Sequence, residues 1–222
     1  MGQHILVVFP HPDDETFGCG GTLALFAKSG IPITYICGTL GQMGRNMGNP
    51  FFANRETLSK IREAELEKAC KAIGIQHLIK LGLRDKTIEF EDPEPIVNRI
   101  EQILREVQPS LVLTHYPGYA VHPDHNALGE LTIKAVSRLS TQDRPTIYAH
   151  AFARNCQDVI GPPDIVNDIS AVADVKCAAI LAHRSQSQVM FPRDNKTEVN
   201  EPTKNAYSHM LQRESFWTYR CF

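Results

Sequence analysis

The chain has 222 residues, 42% of them hydrophobic and 22% charged, with a formal net charge of −2. These values exclude a disordered chain, fit one α/β domain over residues 1–222, and leave no basic face to attract nucleic acid or an anionic membrane. The six cysteines, Cys19, Cys37, Cys70, Cys156, Cys177 and Cys221, form no Cys-x-x-Cys pair. That spacing argues against a thiolate zinc cluster and for reduced thiols in a reducing compartment. The first apolar run, ending at Phe9, is too short to span a bilayer and lacks a basic leader, so a cytoplasmic location is expected.

In chain order, Ile5 to Phe9 reads as a buried strand, followed by a helix from about Gly20 to Ser29 that Gly30 closes. Ile33 to Cys37 is a second strand. Gly38 to Thr57, rich in Gly, Asn and Met, reads as a long loop over the sheet edge where ligands bind. Glu56 to Ile73 has helical spacing and a stop at Gly74. Leu78 to Leu81 is a third strand, Glu94 to Val107 a helix, Leu111 to Thr114 a fourth strand, Asn126 to Leu139 a helix and Thr146 to Ala151 a fifth strand. Gly161-Pro162-Pro163 reads as a turn, Val172 to His183 as a helix and Asp194 to Thr203 as a polar loop. The alternation predicts a Rossmann-like three-layer α/β/α sandwich with a mostly parallel sheet, strand order 3-2-1-4-5.

Two clusters carry the chemistry. His11-Pro12-Asp13-Asp14-Glu15 follows the first strand, and His122-Pro123-Asp124-His125 follows the fourth. Ligands of doubly wound sheets bind beyond the carboxyl ends of the strands where strand order reverses. With strands one and four adjacent, both loops would face one crevice there. Imidazole and carboxylate suit zinc, and a catalytic zinc has three protein ligands and an open position. His11, Asp14 and His125 supply three; Asp13 then stands beside the metal as a base for its water. His122 could stabilise the oxyanion or protonate the leaving amine, and Asp124 could orient His122 or a ligand imidazole. Asp13 or Asp14 could instead cap the next helix, but capping does not require histidine in both clusters.

The pair Pro10-His11-Pro12-Asp13-Asp14-Glu15 and His122-Pro123-Asp124-His125 resembles the signature of the PIG-L/LmbE-type zinc deacetylases, as does Arg62-Glu63-Ala64-Glu65-Leu66 with Ala69 and Ile73-Gly74. The resemblance implies removal of acetyl from N-acetylglucosaminyl compounds, one zinc held by His11, Asp14 and His125, Asp13 as base, His122 at the oxyanion, Arg62 on the substrate, and a homo-oligomer. Thr39 to Gly48 and Asn54-Arg55-Glu56-Thr57 resemble one branch, the second type of bacillithiol-biosynthesis deacetylase, which implies a small amino sugar, N-acetylglucosaminyl malate, as substrate. In the mycothiol branch a tyrosine two residues before His-Pro-Asp-His polarises the carbonyl; here that position is Ala120, with Tyr119 beside it.

Arg45, Arg55 and Arg62 are candidate partners for the two malate carboxylates, since arginine binds carboxylate bidentately. Gly18-Cys19-Gly20-Gly21 lacks the spacing of a dinucleotide loop, and the adjacent carboxylates would repel a pyrophosphate. His183 is expected either to line the site from its far side or to close a helix. His115, at the end of strand four, reads as structural but is the nearest of the other histidines to the crevice. The rival readings are an amidase on bacillithiol S-conjugates, a metal- or nucleotide-binding regulator, and a serine or cysteine hydrolase, against which the absence of a Gly-x-Ser-x-Gly elbow counts.

Overall fold

The computed structural model describes residues 3–188 and 208–221; the expected polar loop from Asp194 to Thr203 lies outside them. The sheet has seven strands in the order β3-β2-β1-β4-β5-β7-β6. β1 (Ile5–Phe9), β2 (Ile33–Thr39), β3 (His77–Leu83), β4 (Leu111–His115) and β5 (Thr146–His150) run parallel, in the expected 3-2-1-4-5 order. β6 (Ile165–Asp168) and β7 (Arg213–Tyr219), which the sequence pattern did not announce, extend the sheet antiparallel beyond β5. β6, at the sheet edge, is half-buried and exposed in alternation, and β7, between β5 and β6, mixes buried and half-buried positions, so neither shows the continuous apolar run of β1.

All five residues of β1 are buried, and they alternate between two cores. Ile5, Val7 and Phe9 meet α1 (Asp14–Lys28), α2 (Leu58–Ile73) and α6 (Ala173–Ala182) on one face; Leu6 and Val8 meet α3 (Pro93–Val107) and α4 (Pro123–Ser137) on the other. Two short helices, α5 (Cys156–Ile160) and α7 (Arg184–Ser187), complete the described set. Burial on both faces explains why β1 must be apolar throughout. In α2, Leu58, Leu66, Ala69 and Ile73 face the core, and Gly74 ends the helix at φ 94° with its N–H on the Cys70 carbonyl.

Helix boundaries differ from expectation where the motifs lie. α1 starts at Asp14 rather than near Gly20, because Asp13 enters it at φ 108°; a kink at Cys19 (φ −150°) separates its first turn from the straight segment that the glycines announce. α4 starts at Pro123 rather than Asn126, with His122 as its cap: the Asp124 N–H donates to His122 Nδ1 at 3.1 Å. Both clusters therefore belong to helix N-termini. The expected helix from Val172 to His183 breaks at His183.

Candidate metal centre

The loops after β1 and β4 meet. His11 Nδ1 lies 3.1 Å from His125 Nε2 and 3.4 Å from Asp14 Oδ2, and His125 Nε2 lies 3.2 Å from Asp14 Oδ1. The outer nitrogens are already engaged. His11 Nε2 sits 3.1 Å from Asp124 Oδ2 and 3.2 Å from Asp85 Oδ1, while His125 Nδ1 sits 2.9 Å from the Ala120 carbonyl. Those acceptors require a proton on each outer nitrogen, so both inner nitrogens turn lone pairs toward each other and toward a carboxylate. Facing lone pairs at 3.1 Å repel unless a proton or a metal cation lies between them, and a divalent ion would take the place of that proton. Ligands at about 2.0–2.2 Å from a tetrahedral zinc would stand at such separations. The residues present therefore fit a divalent ion.

Charge supports the same conclusion. Burial disfavours the protonated form of His11, yet Asp124, Asp14 and Asp85 outweigh it and raise the group well above the ordinary imidazole range. Burial likewise opposes, and His125 and His11 overcome, the ionisation of Asp14, which falls well below the usual carboxylate range. Burial lifts Asp13 to about 6, against the pull of the Arg62 guanidinium. A carboxyl so placed is poised to accept and return a proton near neutral pH.

Asp13 is held from several directions. Arg62 Nη2 contacts Asp13 Oδ2 at 3.2 Å and also donates to the Pro12 carbonyl, while Nη1 donates to the Gly41 carbonyl at 3.1 Å. Gly41 has φ +62°, and a Cβ there would overlap the guanidinium. The Asp13 N–H donates to Glu15 Oε2 at 3.0 Å. Glu15, wholly buried, also accepts from the Tyr35 hydroxyl at 3.2 Å and contacts His183 Nε2 at 2.7 Å. Burial opposes protonation of His183, but Glu15 outweighs it and raises the group, so a buried ion pair stands behind the Asp13 backbone.

A cavity of about 430 Å³ opens on this centre, lined by His11, Asp13, Asp14, His122, His125 and, facing them, Arg45, Arg62, Asp85, Lys86 and Gln186. Six of the sequence candidates and Arg62 thus converge, with Asp124 buried behind His11. The Asp124 carboxylate contacts the His11 ring, while only its backbone N–H meets His122. His122 has its Nδ1 committed to the Asp124 N–H, which leaves Nε2 as the donor toward the site. Arg55 is not brought in: its guanidinium donates to the Gly44 carbonyl at 2.7 Å on the exposed loop. Tyr119 packs on Tyr116, with ring centroids 5.6 Å apart, away from the cavity. His183 lies behind Glu15 rather than in the lining.

Sequence reasoning missed Asp85, Lys86, Glu15 and Tyr35. Only Glu15 carried a signal, as the last letter of the first cluster. His115 stacks on His125 with centroids 4.1 Å apart, and Gly129 lets the chain pass, since a Cβ there would meet the His115 carbonyl at 2.5 Å.

The chain is 51% identical to a protein named probable N-acetyl-alpha-D-glucosaminyl L-malate deacetylase 2 from Bacillus cereus, over 99% of each chain. A Bacillus subtilis protein of the same name is 49% identical over the same shares. A solved N,N'-diacetylchitobiose deacetylase from Pyrococcus horikoshii shares the fold with a TM-score of 0.73 at 23% identity, covering 98% of this chain and 84% of its own. No helix among the described residues is long and apolar enough to cross a membrane. Residues 6–136, which carry both clusters, match the family model PIG-L, GlcNAc-PI de-N-acetylase, and the chain belongs to that family.

Proposed function

We propose that the protein is a single-domain, cytoplasmic, zinc-dependent N-deacetylase that converts N-acetylglucosaminyl malate to glucosaminyl malate and acetate in bacillithiol biosynthesis. The observation that carries the reading is the triangle of His11 Nδ1, Asp14 and His125 Nε2, at 3.1–3.4 Å, with Asp13 beside it. The names of the Bacillus relatives support the substrate.

A zinc ion held by His11, Asp14 and His125 would supply Lewis acidity, lowering the pKa of water to about 7 and polarising the acyl carbonyl. Asp13 takes the proton of the attacking water, and its carboxyl near 6 suits it to hand that proton on. His122, with Nε2 as its free donor, stabilises the oxyanion or protonates the amine. Asp124 and Asp85 fix the His11 ring. Arg62 orients Asp13, while Arg45 and Lys86, both exposed cations on the cavity wall, receive the malate carboxylates. Lys86 replaces Arg55 in this role.

The test is release of primary amine from N-acetylglucosaminyl malate, before and after chelation and after return of zinc. Release that stops on chelation and resumes with zinc is expected. Undiminished release after complete metal removal would overturn the metal mechanism.

A further inference from the structure

Residues 41–53, the loop that carries Arg45, make few backbone hydrogen bonds among themselves. The Gly44 N–H donates to the Gly41 carbonyl, and the Phe52 and Ala53 N–H groups share the Met47 carbonyl. Other anchors come from remote elements. Arg62 Nη1 donates to the Gly41 carbonyl at 3.1 Å, and the Met43 N–H donates to Asp85 Oδ2 at 2.7 Å. These two hold the stretch before Arg45. The stretch after it is held by residues 184–188. The Ser185 carbonyl accepts the Gly48 N–H at 3.1 Å, the Gln186 amide nitrogen donates to the Asn46 carbonyl at 3.1 Å, and Gln188 Oε1 accepts the Asn49 N–H at 3.0 Å. The Arg184 guanidinium lies over the Phe52 ring, 4.5 Å from its centroid.

That segment is itself seated by Glu65. Its two carboxyl oxygens accept the N–H and the hydroxyl of Ser185 at 2.7 and 2.6 Å, and both residues are buried. Breaking either bond would leave a buried polar atom unpaired, so the contact is hard to undo. Glu65 stands one helical turn after Arg62 on the same face of α2. One helix face therefore secures both flanks of Arg45: Arg62 the Gly41 side, Glu65 the Asn46 and Gly48 side. Arg45 is exposed on the cavity wall, so its direction is set by the backbone on either side of it.

We propose that Glu65 is a positioning residue for substrate selection: through Ser185 and α7 it clamps the loop so that Arg45 is already in place for an anionic aglycone. The inference rests on the reading of the protein as a deacetylase of N-acetylglucosaminyl malate and deepens it. A loop that is free before binding must be immobilised by it, which weakens affinity; a clamped loop avoids that loss. Glu65 does not line the cavity of the metal centre, and its bonds run to Ser185. Loosening the clamp therefore weakens binding of the charged substrate and leaves the chemistry at the amide unchanged.

In the zinc-loaded protein, kcat and KM are measured for N-acetylglucosaminyl malate and for methyl N-acetylglucosaminide, which has the sugar and no carboxylate. Glu65→Gln keeps the shape and turns one acceptor into a donor. It should raise KM for the malate substrate about tenfold, with kcat and the KM of the methyl glycoside within about twofold of the parent. Ser185→Ala keeps its backbone N–H on Glu65 and should raise the same KM about threefold. In an Arg45→Ala background, Glu65→Gln should add less than about twofold, because residues that act through one another are not additive. Hydrogen exchange at Gly48 and Asn49 should also speed up in Glu65→Gln. Unchanged exchange, equal losses on both substrates, a fall in kcat, or a tenfold rise that persists without Arg45 would each overturn the clamp and leave the deacetylase reading standing. A parent with the same KM for both substrates would instead overturn the malate reading, and the selective role of Glu65 with it.

Discussion

The two motif loops do the same job, presenting a histidine to one centre, yet they are held in different ways. The loop after β4 is self-supporting. His122 caps its own helix, and the Asn126 side chain accepts the Gly118 and Ala120 N–H groups at 2.9 and 3.1 Å. The loop after β1 is supported from outside. Arg62 of α2, Tyr35 of β2 and His183 beyond α6 hold Asp13 directly or through Glu15. Each loop contains a non-glycine residue at positive φ, Asp13 at 108° and Val121 at 62°. At Asp13 the conformation is locked by a buried network; at Val121, which is 68% exposed, little surrounds it. Backbone strain of about 1–3 kcal/mol persists where neighbours over-determine it. The contrast teaches that the proposed base, Asp13, needs a tertiary frame, whereas His125 needs only a capped helix and a carbonyl.

The sharpest way to break the comparison is at the base itself. Asp13→Asn should lower kcat by about 10²–10⁴, the usual worth of a general base, while bound metal measured by mass spectrometry stays near one per chain. Parental kcat in that variant would show that the supported loop does not carry the base.

Its frame comes next. Glu15→Leu leaves His183, Tyr35 and the Asp13 N–H without their shared partner, and breaking a buried pair of this kind costs about 3–5 kcal/mol. The denaturant midpoint should fall accordingly. Glu15→Gln keeps the shape and should cost less, while still lowering kcat more than it changes KM. A midpoint within error of the parent in both variants would mean that the network does not hold the loop.

The smallest effect concerns the self-supporting loop. Val121→Gly removes the Cβ penalty of the left-handed conformation, about 1–2 kcal/mol, against an entropic cost of about 0.5–1 kcal/mol. A rise in Tm of a few degrees or less is expected. A fall would show that Val121 is held by contacts that its exposure conceals.

β1, β2 and β4 were legible because their side chains are buried on both faces, and such strands read as unbroken apolar runs; β3 and β5 are only partly buried and were read from shorter apolar stretches between helices. β6 and β7 were not legible, since neither is an unbroken apolar run and they pair across a long interval of chain, β7 lying between β5 and the edge strand β6. Among the site residues, His11, Asp14 and His125 were legible from residue type and from their position after adjacent strands. Asp85 and Lys86 were not, because they follow β3 with no motif of their own. Arg55 was read into the site from its residue type, but its guanidinium is taken by backbone carbonyls of its own loop.

What the sequence by itself determined is local in origin: hydrophobic period set the strands, and strand ends set where the His and Asp clusters could meet. Which nitrogen of each imidazole faces inward, how deeply Glu15 and His183 are buried, and which residues line the cavity at Asp14 were decided only by the tertiary structure. The physical reason is that tautomer, proton affinity and cavity lining depend on neighbours drawn from elements remote in the chain. The Glu15 and His183 contact spans 168 positions, and no period in the sequence records it.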